Sequence, residues 1–483
     1  MSLKYKTIKG VFWNAFEMFG GKLIQIIITI ILARILSPDD FGIIGLLVIF
    51  TELSKVILDS GFSQALIRKK DADQSDFTSV FYFNIVVGIV VYTILYFITP
   101  FISDFYKYPE LTDIARVVFL STLINSFGIV QNAKVIREVN FKTLAKRTII
   151  ANILAGLLAI YLAYVGFGVW ALVIQMVLAT FLRVLLLWTF SKWLPSLSFS
   201  FKPIKKLFAF SGNLLMSGIF DVIVSNIQTL LIGKFYSKAA LGFYTQGKQL
   251  SSIPAQTLTG IVRNVTYPTL SVIQENIEEL KHAYKKIIKI AVFVIMPLML
   301  GLLAIGENLI PFILGDKWIP SVNYFMLLCI TGAFFPLYSM GQNLFLVRGN
   351  SRLYLKVSIL KRVIALVAIL ITIRYSVLTL VIGQVITSLI NTVIMMAFSG
   401  REINYHLKEQ IKDIGNIIII SIITSGSIYI YGRVIHIESI LYMLGAQSLI
   451  GVIIFVILIF MFRLSVLTDL KEVIFTIKNK KDK

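Results

Sequence analysis

Cysteine and histidine are nearly absent, with one Cys and three His in 483 residues. Cys329 stands alone in an apolar stretch, so the chain has neither a disulfide framework nor a thiolate metal site. His282, His406 and His436 lie far apart near polar junctions and offer no metal-ligand spacing. Charge is also scarce, at 15% of residues, and acidic charge scarcer still: 25 Asp and Glu against 46 Lys and Arg. No Gly-rich loop ending in Lys-Ser/Thr, no acidic pair in a large polar loop and no nucleophile–base signature is found. The polar segments are too short for a soluble catalytic domain, so the expectation is a protein that is not an enzyme and takes no cofactor or metal.

The formal net charge of +21 raises the question of nucleic acid. Such binding needs cations clustered on a folded polar face and interleaved with aromatics. Here Lys and Arg come in short bursts between apolar runs, as topogenic signals do. Nucleic acid is excluded as a partner.

Apolar length is what the chain has in abundance. Apolar residues make up 57% and the mean hydropathy is +0.85, against roughly 45–50% apolar in soluble domains. A soluble fold could not cover that surface, so membrane lipid is the solvent. Spans of about 20 apolar residues fall at roughly 8–36, 41–59, 78–99, 112–133, 145–165, 167–190, 208–233, 239–262, 286–306, 321–345, 353–373, 376–398, 413–433 and 438–462. The second, eighth and tenth are the least hydrophobic. The sequence thus predicts an all-α polytopic membrane protein with about 14 transmembrane helices. No small-residue cleavage site closes the first run, so it is expected to be a retained helix.

The positive-inside rule orients these spans. With a cytoplasmic N-terminus, the cytoplasmic segments hold Arg68–Lys70, then Lys134, Arg137, Lys142, Lys146 and Arg147, then Lys192, Lys202, Lys205 and Lys206. Lys281–Lys289, Arg348–Arg362 and the tail Lys478–Lys483 complete the set. Opposite loops hold only scattered cations such as Lys107, Lys238, Lys317 and Arg433, an asymmetry of roughly four to one. Both termini are expected to be cytoplasmic. Ile277, Leu280, Tyr284 and Ile287/Ile288 share one helical stripe, as do Val466, Leu470, Val473 and Ile477. Both read as helices on the anionic leaflet or as plain amphipathic extensions of spans.

Laid on itself with an offset of about 200 residues, the chain shows an internal repeat. Ala33–Ser37 overlies Gly233–Ser237, and Phe41-Gly42 overlies Leu241-Gly242. Six spans separate equivalents, so the halves share an orientation, as in alternating-access transporters. The predicted organisation is a six-helix bundle over 1–200, a second over 201–400, and two further helices with a basic tail over 401–483.

Ionisable groups inside spans are costly and mark candidate sites. At 100° per residue, Asn213, Ser217, Asp221, Ser225 and Gln228 form one stripe of span seven. Span one carries Asn14, Glu17, Gly21 and Gln25, with Lys22 beside them. Span eight carries Lys248, Ser252, Gln256, Thr259 and Arg263, and span two carries Glu52, Lys55 and Asp59. The same offset superposes these stripes, so they are expected to face one another and line a central, mixed-charge cavity. Lys22, Lys55, Lys248, Arg263 and Arg34 are its candidate cations for an anionic headgroup. Asn14, Gln25, Asn213, Ser217, Gln228, Ser252 and Gln256 are its candidate polar lining. Glu17, Asp221 and Glu52 are candidates for coupling to H+ or Na+. Glu52–Lys55 and Glu17–Lys22 can equally be neutral pairs that glue helices. Arg34, Arg263 and Arg183, near span ends, can simply snorkel.

Five stretches carry a family resemblance: ARILSPDDFG (33–42), DSGFSQAL (59–66), ALGFYT (240–245), YPTLS (267–271) and GDKWIP (315–320). With these the chain resembles the Wzx-type polysaccharide flippases, nearest their WzxC-like lipopolysaccharide or colanic-acid export branch. That branch lies within the multidrug/oligosaccharidyl-lipid/polysaccharide exporter superfamily. The resemblance implies two six-helix bundles facing a cationic cavity in the bacterial inner membrane. It implies an undecaprenyl-diphosphate-linked oligosaccharide as substrate, carried to the outer leaflet for O-antigen, capsule or exopolysaccharide. It also implies a polysaccharide polymerase and a chain-length regulator as partners. The last two spans also occur in related peptidoglycan-precursor flippases, and whether they form a lipid-tail groove stays open. A drug/cation antiporter is the nearest alternative, and a membrane-embedded glycan polymerase or ligase the alternative from another class. An antiporter would want acidic dominance in the cavity, and a polymerase a large outward loop.

Overall fold

A computed structural model describes residues 3–59, 62–69, 72–138, 140–191, 193–197, 199–435, 437–462 and 466. The basic tail beyond Val466, with its expected stripe, and His436 lie outside the described residues, as do the side chains of Asn14 and Asn213. Among the described residues every regular element is a helix. The chain divides into two compact units, Met1–Gly242 and Phe243–Lys483.

The first unit holds α1 (Leu3–Ile35), α2 (Pro38–Asp59), the short α3 (Phe62–Arg68), α4 (Gln74–Tyr106), α5 (Leu111–Ser126), α6 (Ile129–Arg137), α7 (Phe141–Tyr164), α8 (Val169–Phe190) and α9 (Phe201–Phe235). It also takes the first turn of α10 (Lys238–Val272). The second unit holds the rest of α10 and α11 (Ile277–Ala304), α12 (Gly306–Leu314), a 3-10 turn over Asp316–Ser321, α13 (Val322–Val347), α14 (Ser351–Thr372), α15 (Val377–Arg401), α16 (Leu407–Val434) and α17 (Ile440–Met461).

Helices stand at all fourteen predicted spans. Among the described residues ten are long and apolar enough to cross a membrane, or eleven if α5 and α6, bent by 45°, form one span. The predicted second span is among them, at a mean hydropathy of 2.1. The eighth is not, because α10 is rich in Ser, Thr and Gln. Nor is α14, which carries Lys356, Lys361 and Arg362, and α1 is likewise not among the ten.

Local signals set where the helices begin. Asn140, Asn276, Asn350 and Ser376 each accept a hydrogen bond from the backbone N–H three residues on, supplying N-caps. At the start of α4, Asp73 and Asp76 cap one another's amides at 2.8 and 3.1 Å. The Asp76 amide holds the Asp73 carboxyl below the usual carboxylate range.

Small residues set how closely the helices approach. Ala151, Ala155, Ala159 and Ala163 are buried along one edge of α7, a four-residue ladder that lets α1 come near. A methyl at Gly21 would stand 3.1 Å from Thr148 Cγ2, and one at Gly156 2.1 Å from Ile28 Cδ1. Gly20-Gly21 therefore serves close packing.

In the second unit, one stretch that reads in sequence either as a surface helix or as an amphipathic extension of a span belongs to a single continuous helix. The stripe of Leu280, Tyr284 and Ile288 is almost wholly buried, because α11 is one continuous helix whose first turns dock on α16. Lys281 bridges Glu409 at 2.9 Å, Lys285 bridges Glu409 and Asp413, and Lys289 lies 3.8 Å from Asp413. The Tyr405 hydroxyl donates to Asp413 at 2.7 Å. These lysines look topogenic in sequence, yet three of them tie two helices together.

Candidate functional site: a polar cavity in the first unit

The first unit encloses a cavity of about 770 Å³. Its wall takes Lys55 and Asp59 from the last turns of α2, Ser63 from α3, Asn125 and Asn132 from the α5–α6 bend, Arg147 from α7, Arg183 from α8, and Ser217 and Asp221 from α9. Three cations thus face two carboxylates. Gly128 permits the bend in the wall, since a methyl there would stand 2.9 Å from Val184 Cγ2.

Helix geometry explains the inward direction of these groups. Arg147 stands four residues before Ala151 and so continues the buried alanine edge of α7. Arg183 Nη2 donates to Thr180 Oγ1 at 3.1 Å and Nη1 to Asn152 Oδ1 at 3.4 Å. Asn152 Nδ2 in turn donates to the Gly21 carbonyl at 3.4 Å, so α1, α7 and α8 are threaded by one polar chain. Thr148 Oγ1 donates to Glu17 Oε1 at 3.2 Å, which places Glu17 within electrostatic reach of Arg147.

Three buried atoms in this wall, Asp59 Oδ1, Asn132 Oδ1 and Arg147 Nε, have no hydrogen-bond partner among the described residues. Burying such groups without partners costs roughly 1–3 kcal/mol each.

The sequence-predicted residues are dispersed unequally. Lys55, Ser217 and Asp221 line the cavity, together with Asp59. Glu52, one turn before Lys55, accepts a hydrogen bond from Asn226 Nδ2 of α9 at 2.5 Å. Lys22, Gln25 and Arg34 are exposed on α1, and Gln228 is half-buried on α9; none is part of the wall. In the second unit, Lys248 is half-buried with Nζ 5.7 Å from the centre of the Tyr244 ring, Ser252 Oγ donates to the Gln249 carbonyl, and Gln256 and Arg263 are exposed.

Sequence reasoning missed Arg147, Asn125 and Asn132, and left Arg183 open between a site cation and a snorkelling one. The signal for Arg147 was its phase with the alanine ladder, whereas Lys142 and Lys146 lie off that edge. The second unit holds another such residue. Lys361 of α14 is buried, bonded to the Tyr338 hydroxyl at 3.0 Å and 4.2 Å from its ring centre.

A second cavity, of about 460 Å³, lies within the second unit between α11, α16 and α17. Its wall is almost entirely apolar, including Phe293, Pro297, Leu302, Ile428, Val452 and Phe455. Among the described residues, no group of three His, Cys, Asp or Glu is placed to hold a metal ion.

This polar cavity in a helical membrane protein sets the context for the known proteins that the chain resembles. The chain is 27% identical over 355 residues, 73% of each chain, to the teichuronic acid biosynthesis protein TuaB of Bacillus subtilis. It is 24% identical over 404 residues, 82% of this chain and 81% of the relative, to the lipopolysaccharide biosynthesis protein WzxC of Escherichia coli. The succinoglycan biosynthesis transport protein ExoT of Rhizobium meliloti is 25% identical over 314 residues, 65% of this chain and 64% of its own. Among solved structures, the lipid II flippase MurJ in an inward closed conformation superposes with a TM-score of 0.76 at 15% identity, covering 93% of this chain and 98% of that one. An inward-facing multidrug-resistance MATE transporter gives 0.64 at 17%, covering 80% and 96%. These two likenesses establish the fold, that of a polytopic membrane protein. The sequence profile of the polysaccharide biosynthesis proteins matches residues 31–323, more than half of the chain, and the chain belongs to that family.

Proposed function

We propose that this chain is a flippase. It carries undecaprenyl-diphosphate-linked oligosaccharide repeat units from the cytoplasmic to the outer leaflet of the bacterial inner membrane by alternating access. The product feeds assembly of a surface polysaccharide, with a polymerase and a chain-length regulator acting after it. The observation that carries this reading is the cluster of Lys55, Arg147 and Arg183 around a cavity with unpartnered polar atoms. A diphosphate brings several negative charges and acceptor oxygens, which guanidinium groups bind in bidentate fashion and a lysine as a point charge. The volume suits a diphosphate and its adjoining sugars, since ligand cavities run about 300–1,000 Å³. The polyprenyl tail stays with lipid, and the apolar groove of α11, α16 and α17 is the surface we assign to it. Lys248 is the cation we assign to the substrate on α10.

The cation asymmetry supports cytoplasmic termini. Glu17, Glu52 and Asp221 are the carboxylates we assign to coupling with H+ or Na+. The names of TuaB, WzxC and ExoT support polysaccharide precursors as the cargo class. Transport rather than catalysis agrees with the lack of a nucleophile–base pair among the motifs of the sequence.

Deleting the gene and locating the accumulated lipid-linked oligosaccharide tests the reading. Accumulation on the cytoplasmic leaflet, reversed by the wild-type gene, is expected. Accumulation on the outer leaflet would overturn it in favour of a polymerase or ligase.

A further inference from the structure

The first unit contains a close backbone contact that the cavity does not use. Ser37 and Ser237 stand at equivalent places of the repeat, and each caps the helix that follows. Ser37 Oγ donates to Asp40 Oδ2 at 2.6 Å and accepts from the Asp40 amide at 3.3 Å. Ser237 Oγ accepts from the Ala240 amide at 3.1 Å. These caps hold the first turns of α2 and α10, and those turns cross one another.

The crossing is reciprocal. A methyl added at Gly42 would stand 2.0 Å from the carbonyl oxygen of Lys238. One added at Gly242 would stand 2.0 Å from the carbonyl oxygen of Pro38. Both distances are far inside van der Waals contact, and the obstacle is backbone, which cannot swing aside. Each glycine therefore rests its Cα on the first-turn carbonyl of the other helix. The four residues fall into two pairs, 38 with 238 and 42 with 242, at the same offset of about 200 residues found in the repeat.

A dry plug lies beside this crossing. Leu46, one turn beyond Gly42 on α2, fits the notch at Gly233, where a methyl would stand 2.3 Å from Leu46 Cδ2 and 3.2 Å from Tyr106 Cε1. Leu32, Ala33, Leu46, Ile232 and Leu241 have no exposed surface. The cavity begins at Lys55, thirteen residues beyond Gly42 and so about 20 Å further along α2. The crossing and the polar cavity thus sit at opposite ends of α2.

We infer that Gly42 and Gly242 form the closure of the cavity's outward end, a backbone-to-backbone latch that must part for cargo to leave. This rests on the alternating-access reading proposed above. A latch of glycines and carbonyls suits repeated opening, because it forms without side-chain rearrangement or desolvation of charge. Its two-fold character predicts that either glycine is equally necessary.

The chain's single cysteine makes the test simple. In a Cys329→Ser background, a reporter thiol is placed in the cavity wall by Ser63→Cys, and its labelling by a membrane-impermeant maleimide is read from each side of the membrane. Gly42→Ala and Gly242→Ala are each expected to raise labelling from the outer side at least about fivefold, the population change that ~1 kcal/mol produces, and to the same extent. Gly445→Ala, where a methyl meets nothing within 4 Å, should label like the parent. Parental labelling in both latch variants, with normal yield and monodispersity, overturns the inference, as does a large effect from only one. Should the alanine variants fail to accumulate, Leu46→Ala decides, since it loosens the plug without a backbone clash: increased outer labelling supports the latch and unchanged labelling overturns it. Accessibility does not depend on cargo. A chain whose labelling responds as expected but whose deletion leaves lipid-linked oligosaccharide undisturbed would sink the flippase reading and keep the latch.

Discussion

The two cavities are walled by opposite chemistry. The first unit surrounds about 770 Å³ with Lys55, Arg147, Arg183, Asp59 and Asp221. The second surrounds about 460 Å³ chiefly with leucine, isoleucine, valine, phenylalanine and proline and, among the described residues, with no charged side chain; Thr424 and Ser448 are its hydroxyls. A largely apolar space in a membrane protein costs little, since lipid tails are as apolar as the side chains. A charged, partly unpartnered space costs several kcal/mol. On the flippase reading proposed above, the polar wall is assigned to the headgroup and the apolar groove to the tail.

The strongest way to break this contrast is to remove a guanidinium from the polar wall. Arg147→Ala is expected to lower export of lipid-linked oligosaccharide by roughly 10–100-fold, the range for losing a charge-assisted bond of about 1.5–3 kcal/mol. Arg147→Lys should recover part of that, keeping the charge without the fork. Normal membrane levels with wild-type export in Arg147→Ala would show that the wall does not grip the cargo. A weaker effect is expected from filling the apolar groove. At Gly301 a methyl meets nothing within 4 Å, so the side chain of Gly301→Phe starts in open space. Export should fall several-fold, about the effect of ~1 kcal/mol. If it matches wild type while the protein folds normally, the groove holds no part of the cargo.

These two variants differ in how readable they were beforehand. Membrane residence and the helices followed from apolar length. Lys55 and Asp59 were legible because a charge inside a span has few places to go. Arg147 was hidden because it closes a burst, Lys142–Lys146, that obeys the positive-inside rule. Only its phase with Ala151 and Ala155 separates it from its neighbours. Asn125 and Asn132 depend on a bend at Gly128, a tertiary feature that periodicity does not carry. The pairing of Lys281, Lys285 and Lys289 was hidden for the converse reason: their partners, Glu409 and Asp413, lie more than a hundred residues away.

Lys248 lies between these cases. It is half-buried over Tyr244, and the ring face already offsets part of its charge by about 0.5–1 kcal/mol. Lys248→Ala should therefore impair export only two- to fivefold, about the effect of that same energy, with membrane insertion unchanged. A loss as deep as that of Arg147→Ala would make Lys248 a cation that the cargo needs as much. Wild-type export would demote the residue to packing.

The smallest effect on transport is expected at the ion-pair cluster of the second unit, where charge serves cohesion. Asp413 accepts from Tyr405 at 2.7 Å and lies 3.3 Å from Lys285 and 3.8 Å from Lys289, fastening the start of α16 to α11. Asp413→Asn keeps the shape and an acceptor for Tyr405 but removes the charge that two lysines face. These side chains are about a fifth to a quarter exposed, so solvent screens the pairs and their worth is modest. The melting temperature of the purified protein should fall by about 2–4 °C, the shift expected for the loss of a modest pair in a unit of this size. Raising the salt should narrow the gap, because screening weakens the wild-type pairs first. Export should remain near wild type. A large export defect at unchanged melting temperature would instead give these lysines a part in transport and erase the contrast between charge that binds and charge that holds.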